Sequence, residues 1–243
     1  MAYIGVGGSI DGQINPHLTA NVGFSLTKFE VKAGKIRVQF VSDNACARDT
    51  GEQRMTSGTP FSFHLETIRG FVEGILPIVT NLSDLAGLFA DQAACEQALA
   101  QDNPVVYQVS SFTKTSGEGQ LHFGFGMLMP GRVGAEYFMT RGHLHRRRDA
   151  AEIYVGLGGK GLLLLENEQT GESDALPLAQ HDLVYVPGFT AHRTINIGAE
   201  PLFYVGVYSA EAGHDYEPIL KQNFRKLVID VDGMYQVIDR PAR

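Results

Sequence analysis

The chain has 243 residues, with 20 Lys and Arg against 27 Asp and Glu, a formal net charge of −7. That length can bury a core without staples, and the acid excess argues against general nucleic-acid binding, which needs a basic face. Two cysteines, Cys46 and Cys95, make no disulfide framework and fit a reducing compartment. No apolar run approaches the ~20 residues of a membrane span. The opening MAYIGVGGSIDG lacks the basic and apolar regions of a signal peptide, so a cytoplasmic location is expected.

In chain order, residues 1 to about 20 are Gly- and Ser-rich without a period and read as an arm. Residues 22–42 predict a β-hairpin that turns at Ala33-Gly34. Its alternation slips between Leu26 and Phe29, which predicts a bulge. Residues 43–60 are polar and turn-rich, a loop or linker. Leu65, Ile68, Val72 and Ile75 recur at helical spacing before Pro77, which predicts a helix. A second helix is predicted over 91–101, with Asp91 as its N-cap. From Pro104 onward, short apolar runs alternate with turn signals such as Pro130-Gly131, Gly158-Gly159, Thr170-Gly171 and Asp232-Gly233. That pattern predicts a mainly β protein, a sandwich or small barrel. The domain reading is an N-terminal extension with a β-hairpin over 1–60 and a main domain over 61–243.

Gly156 to Gly161 satisfies G-x-G-x-x-G, but Leu162 to Leu165 and a turn follow where a dinucleotide site needs a helix. The segment predicts a hairpin and no nucleotide. The chemistry lies in TRGHLHRRRDAAEIY, Thr140 to Tyr154, and in VPGFTAHRTIN around His192. On a strand, His143 and His145 project from one face. Glu152 follows on the returning strand and His192 on a distant one. Three imidazoles and a carboxylate make a mixed N/O site suited to a divalent transition metal. A lone His-x-His is more often structural, and Glu152 and His192 are what change the reading. His17, His64, His122 and His181 have no such partners.

The pattern resembles the cupin superfamily. Its first motif is matched by Gly142-His143-Leu144-His145, Glu152 and Gly158, and its second by Pro187, His192 and Asn196. His181 stands where the second motif has a leading glycine. The spacer RRRDAA between His145 and Glu152 is long for a cupin. With TNLSDLAGLFADQ, NPVVYQV and VYSAEAGHDYEPI, the chain resembles the archaeal-type, cupin glucose-6-phosphate isomerases over about residues 80–230.

The resemblance implies a jelly-roll barrel with a few short helices and an N-terminal hairpin extension. It implies metal ligation by His143, His145, Glu152 and His192, with one divalent ion (Fe, Mn, Ni or Zn) per subunit. It implies substrate binding by Tyr107, Thr140, Gly142, Tyr154, Tyr208, His214 and Tyr216, with Glu152 and His214 catalytic. One position departs: Gly126 stands where the family has a phosphate-contacting threonine, fourteen residues before Thr140.

The implied activity is the interconversion of glucose 6-phosphate and fructose 6-phosphate, in glycolysis and gluconeogenesis, by a homodimer. In that reaction a cation can bind the C1 and C2 oxygens while a base moves a proton between the two carbons. A cation-held Glu152 is a weakened base, so a direct hydride shift is the competing route. The rival functions are another cupin metalloenzyme (a mannose-6-phosphate isomerase or a dioxygenase) and a non-catalytic sugar-binding cupin. Arg141 and Arg146 to Arg148 read either as attraction for a dianion or, for the run 146–148, as a solvated hairpin tip.

Overall fold

A computed structural model describes residues 25–32, 35–41 and 60–241. The predicted arm over 1–20 and most of the loop over 43–60 lie outside the described residues. The chain divides into two compact units, Met1–Ser57 and Gly58–Arg243. In the first, Ser25–Lys32 pairs antiparallel with Lys35–Val41, and the register shifts between Leu26 and Lys28, where the alternation predicts a bulge.

The second unit is a barrel of antiparallel strands. A six-stranded sheet runs in the order Leu183–Val186, Glu152–Gly158, Leu202–Ser209, Leu121–Leu128, Val105–Phe112 and Ile78–Asn81. A three-stranded sheet has Lys160–Asn167 between Ser173–Ala179 and Thr190–Asn196. Leu162 to Leu165 are all buried, as expected where both faces of a strand are covered. Leu202–Ser209 alternates instead: Leu202, Tyr204, Gly206 and Tyr208 are buried on one side. The turn at Gly159 leads from Glu152–Gly158 in the six-stranded sheet to Lys160–Asn167 in the three-stranded one. No helix follows it, and the predicted hairpin is instead a corner between two sheets, because each strand pairs with other partners.

The helix predicted over 65–75 does not form. Leu65–Glu66 pairs with Phe71–Val72 as a small hairpin. Of the four periodic residues only Val72 is buried, and Ile68 is 89% exposed. Gly70 and Gly74 each cost a helix about 1 kcal/mol relative to alanine, and the spacing had no core to bury against. The helix predicted over 91–101 does form, as Gln92–Gln101, and Asp91 Oδ1 accepts the Ala94 N–H at 2.9 Å. A 3₁₀ helix at Leu82–Leu88 was not foreseen. It buries Leu82, Leu85 and Leu88, a three-residue repeat that matches three residues per turn. His181 takes φ = 77°, so the turn is made in the conformation a glycine would use.

Asn196 ties the barrel together. Its Nδ2 donates to the Leu128 and Glu200 carbonyls, both at 2.9 Å, and its Oδ1 accepts the Gly198 N–H. The second-motif asparagine is therefore a structural clamp.

Candidate metal centre and cavity

The four predicted ligands come from three places in the chain. Glu152 opens its strand and pairs with both Val186 and Tyr208. His192 lies on Thr190–Asn196, and its backbone bridges that of His143. His145 pairs with His214 across a two-residue ladder. One ligand atom from each of His143, His145, Glu152 and His192 lies within 4.8 Å of all the others.

Each contact in this cluster suits a shared cation. His145 Nδ1 lies 3.0 Å from the Ala150 carbonyl and His192 Nδ1 lies 3.1 Å from the Thr190 carbonyl. A carbonyl can only accept, so Nδ1 carries the hydrogen in each ring and Nε2 is free to ligate. Glu152 Oε2 is 3.1 Å from His145 Nε2 and 3.0 Å from His192 Nε2. The second approach lacks hydrogen-bond alignment, and the buried Nε2 atoms of His143 and His192 have no hydrogen-bond partner. Buried imidazole nitrogens without a hydrogen bond, as at His143 and His192, are what a coordination shell would use, while His145 Nε2 is within hydrogen-bond distance of Glu152.

Burial pushes the Glu152 carboxyl up, but the His145 and His192 nitrogens outweigh it and bring it down to about 2. Burial, and after it the charges of His192, His214 and His145, push His143 well below the ordinary histidine range, so its imidazole is neutral, the form that could ligate a cation. Burial lowers His145, but its hydrogen bonds to Glu152 and Ala150 raise it more.

Gly142 sets the approach to His143. It has φ = +76°, and a Cβ there would lie 2.7 Å from Phe224 Cε2 and 3.0 Å from the His192 carbonyl oxygen. Gly142→Ala is expected to destabilise by about 1–2 kcal/mol from the left-handed backbone alone. The same change should lower metal content, read by elemental analysis beside the melting temperature. Full metal loading in that variant would show that Gly142 does not position His143.

Beside the cluster lies a cavity of about 500 Å³. Every predicted substrate position lines it: Tyr107, Thr140, Gly142, Tyr154, Tyr208, His214 and Tyr216. The His214 ring centroid is 4.3 Å from that of His143 and 5.2 Å from that of Tyr208. Burial lowers the His214 imidazole, against the opposing charge of Glu152. Burial, and then the Glu152 charge, push the Tyr154 phenol far up, so it stays a donor.

Thr194 and Tyr204 also line the cavity and were not singled out in the sequence. The signal for Tyr204 was present: it lies two and four residues before Gly206 and Tyr208 on an alternating strand. Gly126, the departing position, pairs with Tyr204 across the sheet.

The arginine run reads as structure. Arg147 pairs with Asp149 and Glu211, both at 3.1 Å, and Arg148 with Asp215 at 2.6 Å and Glu168 at 3.1 Å. Arg148 Nη1 also donates to the His145 carbonyl. These cations are spent on neighbouring carboxylates and on holding the His145–His214 ladder. Arg141 differs. Among the described residues it is the one Lys or Arg lining the cavity; its guanidinium lies 5.7 Å from the Tyr216 ring centroid, and its buried Nε has no hydrogen-bond partner there.

The family model for glucose-6-phosphate isomerase matches residues 79–240. The glucose-6-phosphate isomerase of Thermococcus gammatolerans is 43% identical over 182 residues, 75% of this chain and 95% of that protein. The glucose-6-phosphate isomerase of Sinorhizobium medicae is 44% identical over 162 residues, 65% of this chain and 75% of its own. A solved oxalate decarboxylase of Lactobacillus farciminis, in a formate complex, overlays with a TM-score of 0.37 at 19% identity, covering 45% of this chain and 30% of that one. The His/Glu cluster, the β barrel and the match over most of the second unit agree, and the chain belongs to the glucose-6-phosphate isomerase family in its cupin form.

Proposed function

We propose that this chain is a metal-dependent aldose–ketose isomerase interconverting glucose 6-phosphate and fructose 6-phosphate, a step of glycolysis and gluconeogenesis. The observation that carries this reading is the joining of two features. A three-histidine, one-glutamate cluster borders a cavity whose lining is rich in hydroxyls and holds one arginine.

The ion is Fe, Mn, Ni or Zn, for which three imidazoles and a carboxylate are suitable donors. When bound, it supplies Lewis-acid stabilisation of charge at the C1 and C2 oxygens. The chain does the rest. Glu152 lies at the border of cluster and cavity and moves the proton between C1 and C2. Its carboxyl, held near 2, is a weak base while both histidines contact it, so turnover in this scheme loosens one of those contacts. His214, lowered by burial, is neutral at pH 7 and takes or returns a proton at the ring oxygen. Tyr154, Tyr208, Tyr216, Tyr107, Thr140 and the Gly142 backbone orient the sugar phosphate.

Among the described residues no helix is long and apolar enough to cross a membrane. The proposal includes a cytoplasmic homodimer, with residues 1–60 as an extension to a catalytic domain of 61–243. Its test is a coupled assay in both directions, with metal analysis of the same sample. Turnover of glucose 6-phosphate and fructose 6-phosphate by protein carrying one divalent ion per chain is expected. Turnover of mannose 6-phosphate alone, or oxygen uptake without isomerisation, would move the chain to another cupin activity.

A further inference from the structure

Gly126 sits mid-strand in Leu121–Leu128, paired with Tyr204 on one side and Val109 on the other. Glycine there weakens a sheet, because it packs nothing. Its backbone has no positive φ, so conformation does not demand glycine. Space does. A Cβ at Gly126 would run into Tyr204 Cζ and lie 2.6 Å from the Tyr204 hydroxyl oxygen and 2.8 Å from Cε1. The Tyr204 ring therefore lies across the face of Gly126, in the room a side chain there would fill.

The ring is buried, yet it lines the cavity together with Tyr107, Thr140 and Thr194. Thr140 Oγ1 accepts the Thr194 backbone N–H at 3.0 Å, and the Thr194 side chain is hydrogen-bonded to Tyr204, so the three residues lie together. On Leu202–Ser209, Tyr208 pairs with Glu152 and Tyr204 pairs with Gly156. Four residues separate the two tyrosines, about 13 Å along a strand. Tyr204 thus stands toward the end of the cavity away from Glu152, with Tyr154 between. A six-carbon sugar held at C1 and C2 beside Glu152 sends its C6 phosphate in that direction.

We propose that Gly126 admits Tyr204, and that the Tyr204 hydroxyl, with Thr140, Thr194 and Tyr107, binds the phosphate end of the substrate. This rests on the isomerase reading and deepens it. The hydroxyl missing at position 126 is supplied by the next strand. Burial holds the Tyr204 phenol above its ordinary range, which keeps it a donor to a dianion.

Tyr204→Phe keeps the ring and removes the donor. Its KM for fructose 6-phosphate should rise about tenfold to a hundredfold, the loss of one hydrogen bond to a charged group. Its kcat, metal content and melting temperature should stay near wild type, because the contact serves ground state and transition state alike. Inorganic phosphate binding, followed by calorimetry on the same proteins, should weaken in parallel.

The phosphate arm separates two failures. A wild-type chain that binds phosphate through Tyr204 but isomerises nothing would sink the isomerase reading alone. An active wild type with an unchanged KM and unchanged phosphate binding in Tyr204→Phe would sink this one. Should that variant not fold, Tyr204→Ala is compared with the double change Gly126→Thr plus Tyr204→Ala. The double change vacates the space and returns a hydroxyl from the other strand, so its KM should be lower than that of Tyr204→Ala. An equal or higher KM overturns the proposal.

Discussion

Glu152→Gln is expected to lower kcat by about 10²–10⁴-fold, the range for a positioned general acid–base group. KM for fructose 6-phosphate should change far less. The carboxylate is nearly fully buried between His145 and His192, 3.1 and 3.0 Å from their Nε2 atoms. Glutamine keeps the shape and one oxygen toward the cluster but cannot carry a proton between carbons. Metal content must be measured on the variant, and kcat taken with the ion in excess. A deuterium label at C2 of glucose 6-phosphate separates the two routes. A proton carried by Glu152 exchanges with solvent, whereas a hydride shift retains the label. Activity in Glu152→Gln within a few-fold of wild type, with full label retention, would remove Glu152 from the role of base.

Stripping the protein with a chelator is the second large effect. Loss of charge stabilisation at two substrate oxygens is worth several kcal/mol, hence about a hundredfold or more in rate. Restoring Fe, Mn, Ni or Zn singly should return activity to different extents and rank the ions. The melting temperature should fall on stripping and recover on reloading, because an ion that binds only the folded cluster stabilises it. Undiminished activity in protein shown by elemental analysis to be free of metal would end the metal-dependent mechanism.

The candidate ligands His143, His145 and Glu152 were legible because they are local in sequence: two histidines two residues apart, then a carboxylate seven residues on. His192 was legible only as part of a motif, since its neighbour His143 is bridged to it across the barrel. The Asp91 cap was legible because a cap is decided by three residues. The helix over 65–75 misled because periodicity without a surface to bury against is coincidence, and Ile68 faces solvent. The 3₁₀ segment Leu82–Leu88 was hidden by its three-residue period, which fits neither helix nor strand templates. Tyr204 was missed for a different reason. Its meaning depends on a glycine 78 positions away, and only strand pairing brings the two together.

Arg193 suggests why the two walls of the cavity are built differently. It is fully buried, stacks 4.5 Å from the Phe224 ring centroid, and donates through Nε and Nη2 to the Arg141 carbonyl. That bond, the Thr140 contacts with Thr194 and the His143–His192 bridge fasten Thr140, Arg141 and His143 to one strand. Catalyst and substrate contacts there share a single seam, so a change in either is felt by both. The opposite wall, the sheet carrying Gly126 and Tyr204, holds none of the three cluster histidines, although Glu152 stands on it beside Tyr208. Selection can exchange side chains across that wall, large for small, without disturbing the seam. Only the end of that wall around Gly126 has this freedom, because Glu152 and Tyr208 at its other end belong to the site.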